Sequence, residues 1–177
     1  MMQVGSRVIV VGGDGKLGAA LCGMLAERRI PLIRTTRKVQ AYPLGWVYLD
    51  LREPRLSGVL QAHRGTVMYI MAGISGFVPS SSNPAAWAVN AEAPVLLAQQ
   101  AARAGVHVVH MSSGAVELAQ ETAYGRQKAH ADLGVLLLGG CVVRPMSHVP
   151  SDKYSELSDL LIRAGAERRV GVVRWEG

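Results

Sequence analysis

The 177-residue sequence predicts a doubly wound α/β domain, a parallel sheet of about seven strands with helices on both faces. Three observations lead there. Short β-branched runs alternate with longer stretches of helical spacing, which is the pattern of a parallel sheet covered on both sides. The first run passes directly into a glycine-rich turn and then a helix. No internal repeat, linker or low-complexity tract interrupts the chain, so residues 1–177 read as one domain.

The elements follow in order. Arg7 to Val11 is a buried strand, and Leu17, Ala20, Leu21, Met24 and Leu25 give the period of a helix over Lys16 to Arg29. Pro31 to Thr36 and Trp46 to Leu49 read as strands, with a short helix from Glu53 to Ala62 after the second. Thr66 to Met71 is the next strand. Ser80 to Pro84 reads as a loop that caps a long helix, Pro84 to Ala104. Val106 to Met111 is a strand, Thr122 to Leu133 a helix and Leu136 to Val143 a strand. A helix over Ser155 to Ala166 and a strand over Val170 to Arg174 complete the pattern.

At 49% hydrophobic and 18% charged, the chain is too apolar for disorder and long enough to bury a core. Its formal net charge of +6 first suggests a polyanionic partner. The excess is local, however. Eight bases and two acids lie between Arg28 and Arg64, and the remainder balances. One Phe and three Trp leave little for base stacking, so no nucleic-acid partner is expected. The longest nearly apolar run, Leu133 to Val143, is about half a membrane span, and no basic region precedes a long apolar run at the N-terminus. Cys22 and Cys141 fit two buried thiols in a reducing compartment, so a soluble cytoplasmic protein is expected. His107 and His110, three apart on a strand, point to opposite faces, and no ligand spacing for a metal is present.

The first strand runs into Gly12-Gly13-Asp14-Gly15-Lys16-Leu17-Gly18. Glycines at these positions let backbone approach a pyrophosphate, and the helix that follows offers free N–H groups and a positive dipole end. Gly12, Gly15, Lys16, Leu17 and Gly18 are thus expected to cradle a dinucleotide, in a Rossmann-like fold. An acid that ends the second strand would hold the ribose 2′-hydroxyl of NAD. Here that strand ends in Arg34-Thr35-Thr36-Arg37-Lys38, and no acid occurs between Arg28 and Asp50. Cations there suit a 2′-phosphate, so NADP(H) is favoured over NAD(H), with Arg37 as the first contact and Arg34 or Lys38 in support. Asp50 follows the third strand, where it could meet the adenine edge or cap a helix.

Tyr124 and Lys128 are spaced to share one helix face. An ammonium beside a phenol is expected to lower the phenol's pKa from about 10, which makes tyrosine a usable acid or base. Ser112 and Ser113 follow the fifth strand, where a hydroxyl could hydrogen-bond a substrate carbonyl.

With these residues the chain resembles the extended branch of the short-chain dehydrogenase/reductases, the NAD-dependent epimerase/dehydratase type, and is faintly similar to dTDP-4-dehydrorhamnose reductases. The matching features are Gly12-x-x-Gly15-x-x-Gly18, Asp50-Leu51, Met71-Ala72-Gly73, Asn90, Ser112-Ser113, Tyr124-Gly-Arg-Gln-Lys128 and Arg144-Pro145. The resemblance implies a Ser113–Tyr124–Lys128 catalytic set, Ser113 being picked out because it lies three residues before Val116. It adds Asp50, Leu51, Ala72, Gly73, Asn90, Tyr124 and Lys128 to the cofactor contacts. It also implies a small-molecule carbonyl or sugar-nucleotide substrate, and a homodimer formed through the two long helices. Ser113 precedes Tyr124 by only eleven residues, and 33 residues follow Arg144, so segment 145–177 is expected to be a minimal substrate segment. A non-catalytic, NADP(H)-binding regulatory or assembly protein is the alternative expectation.

Overall fold

Strands β1 (Val8–Val11), β2 (Leu32–Thr36), β3 (Trp46–Tyr48), β4 (Val67–Ile70), β5 (His107–Met111), β6 (Cys141–Pro145) and β7 (Gly171–Trp175) form one sheet in the order β3-β2-β1-β4-β5-β6-β7. Every neighbouring pair is parallel. The computed structural model describes residues 7–38 and 45–177; residues 1–6 and 39–44, part of the domain expected over 1–177, lie outside the described residues. Helices α1 (Lys16–Glu27), α2 (Ser57–Ala62), α3 (Phe77–Ser82), α4 (Ala93–Arg103), α5 (Ala123–Leu137) and α6 (Tyr154–Ala166) connect the strands.

Parallel strands need crossovers, and the crossovers cover both faces. Alternation along each strand then divides the core. Ile9, Val11, Met68 and Ile70 pack with Leu60 of α2, Leu97 and Ala101 of α4 and Val135 of α5. Val8, Val10, Val67 and Tyr69 face the other way, onto Leu21 and Leu25 of α1 and Leu157 and Leu161 of α6. Burying each such leucine contributes about 1.5–3 kcal/mol, so the all-buried β1, β4 and β5 hold the sheet together. His107 and His110 do face opposite sides, and burial holds the fully buried His110 imidazole well below its usual range. Both cysteines are free and buried.

Besides α2, which begins at Ser57 and not at Glu53, two stretches differ from the sequence expectation. Residues 80–84 are not wholly loop, because α3 takes in Ser80 to Ser82. Ser81 and Ser82 donate back to the Val78 carbonyl at 3.0 and 2.9 Å, so hydroxyls that favour turns are satisfied inside a helical turn. Asn83 keeps the capping role, its side chain accepting from the Ala85 N–H at 2.9 Å. The long helix that follows opens with one wide π turn over Ala88–Glu92. Pro94 has no N–H to offer the carbonyl four residues back, at Asn90, and the turn widens there. The second difference is Leu136, expected to begin a strand. α5 runs on to Leu137, the chain turns at Gly139 with φ +76°, and β6 begins only at Cys141. The apolar run had merged the end of a buried helix with the start of a buried strand, which periodicity cannot separate.

The chain runs outward from β1 to β3 and returns to start again at β4, so the order reverses between β1 and β4. Ligands of doubly wound sheets bind beyond the carboxyl ends of the strands at such a reversal. No helix among the described residues is long and apolar enough to cross a membrane.

Candidate active site

Two clefts open at this reversal and meet at Gly15 and Gly73, which line both. The first has a volume of about 280 Å³ and runs under β1 and β2. The second, of about 600 Å³, runs from Lys16, Leu17 and Gly18 past Met71 and Met111 to Ser113, Tyr124, His148 and Tyr154. The glycine loop divides them. Gly12 has φ +80°, and a Cβ there would lie 2.6 Å from that of Ala72; a Cβ on Gly18 would overlap the Gly12 carbonyl oxygen. The loop is therefore pressed against Ala72, just past β4, and against its own helix, with the first turn of α1 directed at the junction. Thr35 pins it from β2, its hydroxyl accepting from the Gly12 N–H and its carbonyl from the Gly13 N–H, both at 3.1 Å. A bare, close-approach backbone at a helix N-terminus fits a pyrophosphate.

Arg37 and Lys38 line the first cleft with Asp14, Thr36, Leu49, Asp50, Leu51, Ala72 and Ile74. Arg34 does not. Its guanidinium lies over the Trp46 ring, 5.5 Å from the centroid, on the far side of β2. Asp50 lines the cleft but does not cap α2. Its carboxylate is taken by the Arg52 side chain and N–H, which hold it down to about 2. Much of the basic surplus lies elsewhere too: Arg28 pairs with Asp159 of α6 at 2.6 Å, and Arg64 donates to Gln61. Arg37 and Lys38 are the two of the eight bases that line the first cleft.

The two serines after β5 part company. Ser112 is buried and donates to Asp132 at 2.8 Å, alongside Arg144, which donates to the same carboxylate oxygen at 2.8 Å. Ser113 faces the second cleft, caps the following turn by accepting from the Ala115 N–H at 3.2 Å, and hydrogen-bonds Tyr124. Thr122 caps α5 by accepting from the Gly125 N–H at 3.0 Å, which sets Tyr124 in the first turn and Lys128 one turn below. The Lys128 ammonium lies 6.0 Å from the Tyr124 ring centroid and donates to the Met111 carbonyl at 3.2 Å. Burial brings Lys128 down to about 8, and Asp132 opposes the shift. The lowering expected for the Tyr124 phenol is overturned. Burial pushes it up, and the Ser113 hydrogen bond offsets only part of the rise. Burial, which disfavours the charged phenolate, is the larger of the two effects.

Asn90 lines neither cleft. Its side chain staples the loop after β4, accepting from the Ile74 N–H at 2.8 Å and donating to the Ile74 carbonyl and to Gln127 at 2.9 Å each. It thereby sets Ala72 and Gly73, and a Cβ on Gly73 would sit 3.0 Å from the Asn90 oxygen. The sequence reading missed Asp14, Thr35, Thr36, Asp132 and His148. Only the two threonines carried a signal, as polar residues interrupting an apolar strand. Among the described residues no group of three or more His, Cys, Asp or Glu is placed to hold a metal.

Residues 8–135 match the model of the NAD dependent epimerase/dehydratase family. The chain belongs to that family. Membership carries the coarse activity, an NAD(P)-dependent oxidoreductase. No curated protein is significantly similar to this epimerase/dehydratase family member. Among solved structures it is similar to MoeE5 in complex with UDP-glucose and NAD, at 19% identity and a TM-score of 0.80, covering 96% of this chain and 76% of that one. It is similar to a dTDP-4-dehydrorhamnose reductase from Bacillus anthracis in complex with NADP, at 16% identity and 0.78, covering 97% and 75%. A short-chain dehydrogenase/reductase from Brucella ovis matches at 18% identity and 0.75, covering 97% of this chain and all of that one. At these identities the likeness is one of fold.

Proposed function

We propose that this family member is an NADP(H)-dependent oxidoreductase of the carbonyl reductase or sugar-nucleotide reductase/epimerase type, acting through Ser113, Tyr124 and Lys128. The observation that carries the reading is the meeting of Ser113 and Tyr124 in a cleft that continues the glycine loop, with the buried Lys128 ammonium 6.0 Å from the Tyr124 ring centroid behind them. Gly12, Gly15, Lys16, Leu17 and Gly18 hold the pyrophosphate, and Leu51, Ala72 and Gly73 wall the cleft beside it. Arg37 and Lys38 attract a 2′-phosphate. When bound, the nicotinamide supplies or accepts a hydride. Ser113 polarises the substrate carbonyl through its hydroxyl. Tyr124 gives its phenolic proton to the carbonyl oxygen in reduction and recovers it in oxidation, general acid–base work worth about 10²–10⁴ in rate. Lys128 holds the nicotinamide ribose and places a positive charge beside Tyr124 while the phenol is deprotonated.

Segment 145–177 acts as the minimal substrate segment, since Pro145, Ser147, His148 and Tyr154 wall the second cleft. The chain works in the cytoplasm as a homodimer through α4 and α5, whose Leu96, Leu133 and Leu137 are exposed. Calorimetric titration with NADPH and NADH, followed by a panel of aldehydes, ketones and sugar nucleotides, tests the activity. Turnover that Tyr124→Phe reduces by about 10²-fold or more, with nucleotide affinity unchanged, is expected. Nucleotide binding with no turnover on any carbonyl would favour a non-catalytic, NADP(H)-sensing protein.

A further inference from the structure

We propose that Asp14 is the specificity-determining residue of the first cleft, an acid delivered by the glycine loop that restrains the preference for NADP(H). The inference rests on that cleft holding the adenosine half of a nicotinamide dinucleotide.

The end of β2 has no acid of its own, since none occurs between Arg28 and Asp50. The fold supplies one from elsewhere. Thr35 ties Gly12 and Gly13 to β2, and this sets the next residue, Asp14, against the strand's last position. The Asp14 carboxylate accepts from the Thr36 hydroxyl at 2.8 Å and pairs with the Lys38 ammonium at 3.3 Å through the same oxygen. The Thr36 hydroxyl in turn accepts from the Lys38 N–H at 3.1 Å, so Thr36 and Lys38 are both gathered at this carboxylate. Asp14, Thr36, Arg37 and Lys38 line one cleft wall. The Lys38 side chain is 76% exposed and that of Asp14 28%, and a pair so open to water adds little to stability. Its consequence is for what enters the cleft.

At the end of the second strand a dinucleotide presents its adenosine ribose. A carboxylate there accepts a hydrogen bond from a 2′-hydroxyl. Toward a 2′-phosphate, which carries close to two negative charges, the same carboxylate is repulsive, and it competes for the Lys38 ammonium. Arg37 and Lys38 thus pull toward NADP(H), while Asp14 pulls toward NAD(H). Asp14→Asn removes the charge and keeps a side-chain oxygen to accept from Thr36.

The test is calorimetric titration of the wild type, Asp14→Asn and Asp14→Ser with NADPH and NADH, with thermal melting to establish that each variant is folded. The ratio of NADPH to NADH affinity is expected to rise about tenfold in Asp14→Asn, equivalent to about 1.4 kcal/mol. Asp14→Ser should move it in the same direction, and both increases should shrink as salt is raised. A ratio that rises less than about threefold in both variants, or that falls, overturns the role of Asp14 while leaving the dinucleotide reading intact. Wild type that binds neither nucleotide overturns the dinucleotide reading, and the role of Asp14 with it.

Discussion

Lys128 is a residue whose charge the fold controls directly. It is buried on α5, its ammonium gives a hydrogen bond to the Met111 carbonyl, and desolvation sets its pKa at about 8 against the opposing pull of Asp132. The group is charged below that value and neutral above it. If Lys128 holds the cofactor ribose, dinucleotide affinity should be flat from neutrality up to about pH 7.5 and fall as pH rises through about 8. Lys128→Arg, whose guanidinium stays charged throughout, should abolish the fall, as calorimetric titrations across that range would show. The neighbouring serines show how little residue type reveals at this scale. Both line the second cleft, but the Ser112 hydroxyl is fixed to a buried carboxylate while Ser113 hydrogen-bonds Tyr124. Nothing but strand register and the position of Asp132, twenty residues away, separates them.

At the scale of the element, the glycine loop was legible because its constraints are local. A Cβ at Gly18 meets the loop's own carbonyl, and Gly12 takes a positive φ that glycine adopts without strain. Gly15 is different. It has φ −77°, and a Cβ would make only an ordinary 3.4 Å contact with the Gly12 oxygen. Gly18→Ala should therefore lower the melting temperature through overpacking of about 1–3 kcal/mol and lose nucleotide binding together with stability. Gly15→Ala should melt close to the wild type while weakening nucleotide binding, because the space it fills lies between the two clefts. Thermal melts paired with nucleotide titrations separate the two effects. The elements misplaced from sequence were those whose ends rest on side-chain contacts that periodicity does not reveal. α3 depends on Ser80 reaching the Ile74 carbonyl, and the end of α5 on Val135 and Leu136 packing into the same core as β6.

For the molecule as a whole, the sheet order brings three distant segments to one edge: the loop after β1, the loop after β4 and the start of α5. Leu133 and Leu137, 60% and 78% exposed, lie on the outer side of α5, with Leu96 of α4 exposed beside that helix. If this face joins two copies, the wild type should sediment as a dimer and Leu133→Glu/Leu137→Glu as a monomer that remains folded by circular dichroism. The amino-acid sequence by itself determined the α/β class, the strand count, the glycine loop and the Tyr124–Lys128 spacing, since all four are written in short-range periodicity and backbone sterics. Only the tertiary structure decided which charges reach the first cleft. It turned Arg34 onto Trp46, tied Arg52 to Asp50 and brought Asp14 to the end of β2. A surplus of six positive charges between Arg28 and Arg64 is a sum along the chain. A bound phosphate responds to distance and desolvation instead, and both were fixed when β1 and β2 paired in register.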